Sequence, residues 1–581
     1  MSRRRRRDDL VWLVVPAAFG VYLYTMAPAV GLIDSGELAA GCLMLNVLHP
    51  TGYPLYTLLG RLVSLVPVAA VVNRVAMLSA LLGAAGVGLF LWLSRRMGVK
   101  AEVAGATSLV LAFSQPVWSV SVDVEVYSLT LVLAAVIWLA VESSSQTRGL
   151  LILGFACGLA LTNHMSAASV VLGAGVAVLA ADRKRVMQRF LLLTVLFLLG
   201  LSPYLFLPLR ARAGPLLAWG NTVNLERFWW HVTGKQYQVW MFRLPFSEVA
   251  ANAGRGLVLL ARGLAYVLVP AVLYGAYRTF RERRSMALGL AVTAVLSFAY
   301  AVNYSIPDIE AYYIPCFLAL SVFAANGLDR LARGMGRWRH AVWIPAVLAL
   351  ALNFPDLNRR EDYVAHDQAV NTLASANPNA IVFTDWWDVY SPVFYLQHVE
   401  GLRPDVCIID KELVRRSWYF EYLARDYPWL IENSRAELEQ YTVYLDRFER
   451  GTLKDAAAIQ RSYIRLLESF AFNNPDRPAY TTYAREAGQD ARQMFRGVQW
   501  TPVGLLFELR RDTLLPEFDY SALEVRQPPN PSPRTRANLD RYGLFARARI
   551  QALLARGRDA EAQLVDEWFS SVRTPTSGRA K

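Results

Sequence analysis

Two acids and a histidine lie close together in residues 31–56, which read GLIDSGELAAGCLMLNVLHPTGYPLY. They are Asp34, Glu37 and His49, and they fall in a short stretch between two apolar segments. Because charge is costly next to hydrocarbon, acids clustered at a membrane boundary indicate a functional site. A carboxylate held there can take the proton from an acceptor hydroxyl, which is general-base catalysis. The alternative interpretation is an ordinary loop at the membrane surface.

The elements that must position these residues are mostly apolar. The chain has 581 residues, of which 54% are hydrophobic and only 18% are charged, whereas globular chains carry about 25% charged residues. Apolar runs recur before residue 355, and several approach the roughly 20 residues that cross a bilayer. Examples are residues 10–24, 75–93, 190–209 and 286–302. The sequence therefore predicts a polytopic α-helical membrane protein.

The net charge of +13 does not indicate a nucleic-acid partner, because the basic residues form short clusters between apolar segments. The clusters are residues 3–7, 95–100, 182–189, 278–284 and 330–339. Basic clusters of this kind favour the cytoplasmic side of a membrane. Placing all of them there predicts about eleven transmembrane helices. It also puts the Asp34 segment, His164, Asp308 and the C-terminal region together on the extracytoplasmic side.

The eleven predicted helices follow from the apolar runs and the basic clusters between them. They lie at about 10–30, 73–94, 101–119, 126–142, 149–163, 165–181, 190–209, 254–277, 285–303, 311–328 and 340–354. Residues 54–67 are apolar on one side, which favours a helix lying in the membrane interface. The four cysteines are dispersed, and their spacing supports neither a zinc site nor a disulfide framework.

After Pro355 the chain becomes charged and has no further spanning run. Residues 356–525 are long enough for a domain, and we expect an extracytoplasmic α/β domain there. Residues 380–384 and 406–410 are typical of short buried strands with a helix between them, and 500–509 of another strand or hairpin. Residues 526–581 are expected to form a Pro-rich linker followed by a helical segment, with a helical pair at 539–569.

Transfer of a sugar from a lipid phosphate would need a base for the acceptor and donors for the phosphate. Asp34 or Glu37 can supply the base. The candidates for the phosphate are Arg210, Arg212, His164 and Lys235. Aromatic side chains that can pack on the sugar or the isoprenoid are Tyr53, Trp118, Trp219, Tyr237 and Tyr312.

Longer strings of this sequence resemble a known family. IDSGELAA followed by LHPTGYPLYTLLGRL is similar to polytopic proteins of the glycosyltransferase C (GT-C) superfamily whose animal relatives are protein O-mannosyltransferases. The likeness continues over roughly residues 10–420, at ALTNHMS, YLFLPLRARAGPLLAWGN, HVTGKQY, NYSIPDIEAYYIP and YLQHVEGLRPDV. The resemblance implies a polyprenyl- or dolichyl-phosphate hexose donor and inversion at the anomeric carbon. It also implies that Asp34 is the catalytic acid of the first extracytoplasmic loop.

Several of these residues keep two interpretations. Asp34 is the favoured general base but also a good helix N-cap, and Glu37 is a first-turn acid or a substrate-binding residue. His49 is a structural hydrogen-bonding group or a phosphate or sugar contact. Asp308 and Glu310 match the family pattern as donor-binding or loop residues. Five further candidates are two acids that bind acceptor or metal or form a solvated turn, and three tryptophans that bind sugar or pack in a core: Asp123, Glu125, Trp386, Trp387 and Trp418.

The sequence thus predicts an inverting glycosyltransferase that moves a hexose, expected to be mannose, from a lipid-phosphate sugar to a hydroxyl acceptor such as protein Ser or Thr. Its predicted partners are that donor, the acceptor and the membrane, with no nucleic acid. No metal is assigned, although a divalent ion stays open. The Ala- and Arg-rich usage favours a bacterial inner membrane. The alternatives are a transporter or flippase of lipid-linked sugars, or a non-catalytic membrane assembly protein.

Overall fold

The computed structural model describes residues 11–334, 336–486 and 489–573. The basic cluster at residues 3–7 lies outside the described residues. In the first 357 residues the helices are Val14–Thr25, Ser35–Met44, Pro54–Ser64, Val71–Arg96, Ala101–Ala112, Gln115–Ser121, Tyr127–Glu142, Thr147–Leu161, Ala168–Gln188, Phe190–Gly200, Phe206–Arg212, Leu225–Val232, Phe246–Gly263, Val269–Glu282, Arg284–Val302, Ile314–Ala332 and Ile344–Leu357. Short 3-10 helices lie at Val11–Leu13, Met165–Ala167, Ser202–Leu205, Lys235–Trp240, Ile309–Tyr313 and Gly336–Trp343.

Among the described residues, five helical segments are long and apolar enough to cross a membrane, and two bent helix pairs raise this number to seven. The five are Val71–Arg96, Met165–Gln188, Arg284–Val302, Ile309–Ala332 and His340–Leu357. The bent pairs break at residues 112–115 and 200–202, by 65° and 41°. The prediction of a polytopic helical membrane protein is confirmed, whereas the count of eleven spans stays a prediction.

The two bent pairs interrupt the predicted helices at 101–119 and 190–209, and a third predicted span is also wrong as a single helix. The expected helix at 254–277 is two helices, Phe246–Gly263 and Val269–Glu282, joined by a short turn. Ala265 and Tyr266 in that turn have left-handed backbone angles, with φ of 50° and 57°. A continuous helix cannot contain such residues, so hydropathy alone concealed the break.

The C-terminal region contains a five-stranded sheet. The strands are β1 (Ile381–Thr384), β2 (Cys407–Asp410), β3 (Ala479–Thr481), β4 (Gln499–Val503) and β5 (Leu506–Arg510), in the order β2-β1-β3-β5-β4. β1 pairs in parallel with β2 and β3, with Ile381 opposite Cys407 and Ala479. β5 is antiparallel to both β3 and β4. The predicted strands at 380–384 and 406–410 and the predicted hairpin at 500–509 are therefore confirmed, whereas β3 was not expected.

Helices surround this sheet and complete the C-terminal region. They are Val364–Ala374, Trp387–His398, Tyr419–Asp426, Pro428–Asn433, Arg435–Glu449, Ala456–Phe472, Gln489–Gln493, Pro533–Leu554 and Asp559–Arg573, with 3-10 turns at Leu413–Arg415 and Tyr520–Ala522. The last two helices pack against each other, as the predicted helical pair requires. Pro533 takes the first turn of its helix, where its missing N–H costs nothing, and Ser532 caps that helix.

One buried hydrophobic core runs without interruption from the membrane helices into the sheet. The closest approach joins the helices Ser35–Met44 and Trp387–His398. A Cβ atom at Gly36 would lie 2.1 Å from the Ser391 carbonyl oxygen, so only glycine allows this contact. The C-terminal region is therefore packed directly onto the helix that follows Asp34.

Candidate functional site

A cavity of about 740 Å³ opens beside Asp34, and we call it the aromatic cavity. Its walls carry the carboxylate, two histidines and a set of aromatic rings. The lining residues that matter below are Asp34, His49, Tyr53, Tyr127, His164, Trp219, Tyr237, Trp240, Tyr300, Tyr304, Asp308, Tyr312, Trp387 and Arg534. Eight of the predicted site residues other than Asp34 are among them: His49, Tyr53, His164, Trp219, Tyr237, Asp308, Tyr312 and Trp387.

Asp34 lies immediately before the helix Ser35–Met44, and its side chain makes no capping hydrogen bond. Its Oδ1 instead accepts a hydrogen bond of 2.7 Å from the indole Nε1 of Trp387, which belongs to the C-terminal region. Its Oδ2 lies 3.6 Å from His49 Nε2. The cap position therefore fixes the backbone while the carboxylate stays directed into the cavity.

His49 links Glu37 to Tyr53. His49 Nδ1 lies 2.6 Å from Glu37 Oε2, and its Nε2 lies 2.8 Å from the Tyr53 hydroxyl. The Tyr53 hydroxyl donates to the Pro50 carbonyl, so it must accept from His49. Both ring nitrogens then carry a proton, because Glu37 can only accept when ionised. The geometry thus describes a His49 imidazolium between an acid and a phenol.

The electrostatics agree with this protonation state. Burial disfavours the charged ring, but Glu37 and Asp34 outweigh it and raise the pKa of His49 to about 9. Burial raises the pKa of Asp34 above its ordinary value, while the charge of His49 opposes that shift and Glu37 adds to it. A base with a raised pKa holds a proton more strongly, which suits proton abstraction near neutral pH.

Glu37 itself does not line the cavity. Its side chain is 2% exposed, and its Oε1 accepts the His49 backbone N–H at 2.9 Å. The predicted alternative of substrate binding by Glu37 has no support in this geometry, because both of its oxygens already hold His49. Glu37 instead holds His49 in position and stabilises its protonated form.

His164 is placed differently from His49. Its Nδ1 accepts from the Ser166 backbone N–H at 3.0 Å, so the neutral ring carries its proton on Nε2. Burial, reinforced by the positive charge of His49, lowers its pKa to about 3. The ring stacks on Tyr53 and meets Tyr127 and Tyr312, at centroid distances of 5.7, 4.7 and 5.1 Å. His164 therefore offers a neutral hydrogen-bond donor within an aromatic wall.

A second cavity of about 540 Å³ lies on the other side of Ile33, and we call it the polar cavity. Its walls carry ten charged side chains: Asp123, Glu125, Asp308, Glu310, Asp356, Asp362, Arg262, Arg359, Arg534 and Arg536. Some of these charges are paired, since Arg359 lies 2.8 Å from Asp123 and Arg262 lies 2.6 Å from Asp356. The predicted candidates Glu310, Asp123 and Glu125 belong to this cavity rather than to the aromatic one.

Four residues line both cavities: Ile33, Pro307, Asp308 and Arg534. Burial and the nearby Asp34 raise the pKa of Asp308 to about 6. Ile33 adopts a left-handed backbone conformation, with φ of 59°, which is strained for a β-branched residue. Strain of this kind persists only where the surroundings enforce it, and here it occurs directly before Asp34, whose side chain lines the aromatic cavity.

The C-terminal region enforces that turn through Asp388. This carboxylate is buried, and its Oδ1 accepts the Ile33 backbone N–H at 2.9 Å. It also forms a two-pronged ion pair with Arg534 and accepts from the Asn538 amide. Asp388 and Arg534 were not predicted as site residues. The signals that could have found them are the acid in the first turn of Trp387–His398 and the Ser-Pro helix start that precedes Arg534.

Arg210 and Arg212 do not reach either cavity. Arg210 donates to the carbonyls of Leu45 and Met44, at the end of the helix Ser35–Met44, and Arg212 donates to the Val223 carbonyl. Both guanidinium groups satisfy backbone carbonyls, which agrees with the alternative role of anchoring the helix end, and a contact of either with the donor phosphate stays a prediction. Lys235 donates to the Glu449 carbonyl, and Trp118 is buried in the core.

The other tryptophan candidates lie in the wall of the aromatic cavity or directly behind it. Trp219 packs against Trp418 and Trp387, with centroid distances of 4.6 and 5.7 Å. Trp386 donates its Nε1 to Asn538, beside the Arg541 guanidinium. Of these four, Trp219 and Trp387 line the aromatic cavity, whereas Trp386 and Trp418 pack behind it.

One group among the described residues has suitable ligand atoms for a divalent cation. Asp34, Glu37 and His49 each offer one atom, all within 4.8 Å of one another. Carboxylate oxygens and an imidazole nitrogen suit several divalent metals. However, both nitrogens of His49 already hold protons in this hydrogen-bond arrangement. A metal would have to displace one of them, so the geometry fits a proton-holding site better than a metal site.

Comparison with known proteins agrees with the resemblance noted in the sequence. Residues 34–187 match the family described as "Protein O-mannosyl-transferase TMEM260 N-terminal domain", and residues 365–434 match "TMEM260-associated domain 2". The first match contains Asp34, Glu37, His49 and His164, and the second contains Trp387. Both sides of the Asp34–Trp387 contact thus fall in matched regions.

Two relatives have similar sequences. The mouse "Protein O-mannosyl-transferase TMEM260" is 27% identical over 457 residues, which cover 71% of this chain and 64% of the mouse protein. A Dictyostelium discoideum protein of the same description is 27% identical over 241 residues, which cover 37% of this chain and 29% of that protein. The chain thus spans less than two thirds of either relative.

The fold is also similar to a solved structure. ArnT from Cupriavidus metallidurans bound to undecaprenyl phosphate superposes with a TM-score of 0.50 at 15% identity, covering 81% of this chain and 92% of ArnT. At this identity the likeness shows the fold alone, and it confirms the predicted GT-C-like architecture.

Proposed function

We propose that this chain, a GT-C superfamily protein related to the animal TMEM260 proteins, is an inverting glycosyltransferase. It moves a hexose, mannose in this proposal, from a polyprenyl-phosphate sugar to a hydroxyl acceptor such as a protein Ser or Thr. The observation that carries the proposal is the Asp34 carboxylate in the wall of the aromatic cavity, directly after Ile33, which lines both the aromatic and the polar cavity. The names of its relatives support the class of reaction.

In the proposed reaction Asp34 acts as the general base. The acceptor oxygen attacks the anomeric carbon from the side opposite the phosphate, and its proton passes to the Asp34 carboxylate. The bond between the anomeric carbon and the phosphate oxygen breaks, and its electron pair leaves with the phosphate. A single displacement of this kind inverts the anomeric configuration. Trp387 keeps Asp34 oriented by donating to its Oδ1, and His49 favours its ionised form.

The aromatic cavity suits the lipid-phosphate sugar. Its rings offer flat apolar faces for a sugar and an isoprenoid. It also reaches Leu172 and Leu296, whose side chains are 57% and 38% exposed on two of the candidate membrane spans. An isoprenoid chain can leave the cavity in that direction and remain in the hydrocarbon. The polar cavity is lined by six acids and four arginines. These charged groups can form hydrogen bonds with a hydrophilic acceptor.

We also propose that this site faces the extracytoplasmic side. The cavity residues lie near one end of three candidate spans, as shown by Met165, Tyr300 and Tyr312. The opposite ends of the same spans carry Arg185, Arg284 and Arg330. Basic residues favour the cytoplasmic end. The C-terminal region contacts Asp34 through Trp387, so in this proposal it lies on the extracytoplasmic side as well.

The proposal is tested with the purified full-length chain in nanodiscs. Polyprenyl-phosphate mannose and polyprenyl-phosphate glucose are supplied separately with Ser- and Thr-containing peptides, and products are identified by mass spectrometry. The expected result is a hexosylated peptide whose anomeric configuration, read by NMR, is opposite to that of the donor. Retention of configuration, or no transfer with either donor to peptide or glycan acceptors, would contradict the proposal.

A further inference from the structure

We propose that Arg534 binds the phosphate of the lipid-linked donor, so that the C-terminal region completes the active site; this inference rests on the proposed function. The starting point is a charge requirement. A lipid phosphate that enters the aromatic cavity exchanges water for protein donors, and it needs a cation or several hydrogen bonds in return.

Arg534 is the one arginine or lysine that lines the aromatic cavity among the described residues. The other basic groups there are His49 and His164. His164 is neutral in its hydrogen-bond arrangement, and His49 is held by Glu37 and Tyr53 on both nitrogens. A guanidinium is always charged, and its planar fork matches two phosphate oxygens. Arg534 is therefore the group best suited to an incoming phosphate.

The surroundings of Arg534 hold its side chain in one orientation while leaving part of it free. Its Nε lies 2.8 Å from Asp388 Oδ2, and its Nη2 lies 2.7 Å from Asp388 Oδ1. Asp388 is fixed in turn by Ile33 and Asn538. The third nitrogen, Nη1, makes no hydrogen bond to any described residue, and the side chain remains 27% exposed. A purely structural ion pair would not require this position at the junction of two cavities.

The position of Arg534 would also bring the donor phosphate, which is the leaving group, close to the proposed general base Asp34. Arg534 is near enough to Asp34 and Asp308 that its charge partly opposes the rise in pKa that burial causes in both carboxyl groups. A phosphate bound to Arg534 would lie in the aromatic cavity that Asp34 also lines. Charge that develops on the phosphate oxygen as the glycosidic bond breaks would then be stabilised by a preoriented cation.

The test compares two ligands that differ only in the phosphate. Binding of undecaprenyl phosphate and of undecaprenol is measured for the purified full-length protein in nanodiscs. The wild-type protein is expected to prefer the phosphate. Arg534→Gln is expected to bind the phosphate about 10- to 100-fold more weakly, as for the loss of a charge-assisted hydrogen bond, with undecaprenol binding unchanged. Arg534→Lys is expected to fall in between, because lysine keeps the charge but loses the fork.

Controls separate this inference from the proposed function and from misfolding. Arg547→Lys, an exposed arginine on the same helix, should bind as the wild type does. Asp34→Asn should lose turnover and keep phosphate binding. Thermal unfolding identifies variants that do not fold, and if Arg534→Gln is one of them, Arg534→Lys decides the question. Folded Arg534 variants with an unchanged preference for the phosphate would overturn the inference alone, whereas a wild-type protein without that preference would also overturn the proposed function.

Discussion

The two cavities that meet at Ile33 have opposite chemical character. The aromatic cavity is lined mainly by rings, with Asp34, Asp308, His49 and Arg534 at one side. The polar cavity is lined by acids and arginines, several of them paired. A reaction that joins a lipid-linked sugar to a water-soluble hydroxyl needs both environments and one base between them. In the proposed reaction the two substrates are separated by polarity, with Arg534 in the walls of both cavities and Asp34 in the wall of the aromatic one.

The largest effect is expected at Asp34. Asp34→Asn keeps the shape of the side chain and removes its basicity, so turnover should fall at least about 100-fold. The measurement is initial rate with saturating donor and acceptor, with the folded state checked by thermal unfolding. Asp540→Asn, which changes an exposed acid on the helix of Arg534, serves as the control. Near-normal turnover of folded Asp34→Asn would contradict the assignment of Asp34 as the general base.

A smaller effect, with a characteristic pH dependence, is expected at His49. Its pKa is raised to about 9, so the imidazolium is present at neutral pH and is lost as the pH rises through about 9. The stability that it contributes is therefore complete below its unfolded pKa of about 6.5 and disappears above about 9. Turnover should decline at the same alkaline pH, because deprotonation of His49 breaks the bridge between Glu37 and Tyr53 that holds this wall of the cavity.

His49→Gln should remove that alkaline decline and lower neutral turnover about tenfold, an effect of the order of one charge-assisted hydrogen bond. It should also move the acid limb of the profile to higher pH, since the pKa of Asp34 rises further without His49. Full pH–rate profiles of both proteins test this. His340→Gln, at an exposed histidine, should reproduce the wild-type profile. An alkaline limb that persists in His49→Gln would assign it to another group.

A substitution in the polar cavity is expected to change the KM for the acceptor but not the KM for the donor. Glu310 lines the polar cavity and not the aromatic one. Glu310→Gln should raise the acceptor KM about 3- to 10-fold, of the order of one hydrogen bond, and leave the donor KM unchanged. Tyr237→Phe in the aromatic cavity is the matched variant, and it should change the donor KM instead. If both variants changed the same KM, the assignment of one substrate to each cavity would be wrong.

The sequence predicted many residues of this site but not the contact between Asp34 and the C-terminal region. Asp34, Glu37, His49 and Tyr53 fall within one short segment, so their types and spacing could be read directly. Trp387 is 353 residues from Asp34, and only tertiary packing brings its indole to the carboxylate. Polarity and hydropathy describe neighbours along the chain, and they contain no information about which remote segments will meet.

Arg534 was missed for a different reason. Its surroundings, RQPPNPSPRTR, have the composition of a flexible linker. The structure begins a helix at Pro533, with Ser532 accepting from the Thr535 backbone N–H. Serine followed by proline is a good helix start, so the signal was present, but composition was given more weight than position. The broken helix near 264–268 has a similar explanation, because Gly263 and Pro270 marked the turn inside an apolar run.

The smallest effect on catalysis is expected at Arg210, which the sequence offered as a phosphate ligand. Its guanidinium donates to two carbonyls at the end of the helix Ser35–Met44. Arg210→Lys keeps the charge but can satisfy those carbonyls less completely, so the free energy of unfolding should fall by about 0.5–1.5 kcal/mol. Donor affinity and turnover should stay within about twofold of the wild type, a change of less than about 0.5 kcal/mol.

Arg534→Lys, measured in parallel for undecaprenyl phosphate, should show the opposite pattern, with weakened donor binding. Equal losses of donor affinity in both variants would mean that the phosphate is recognised by charge spread over this whole side of the protein, and the boundary between the two cavities would lose its special role.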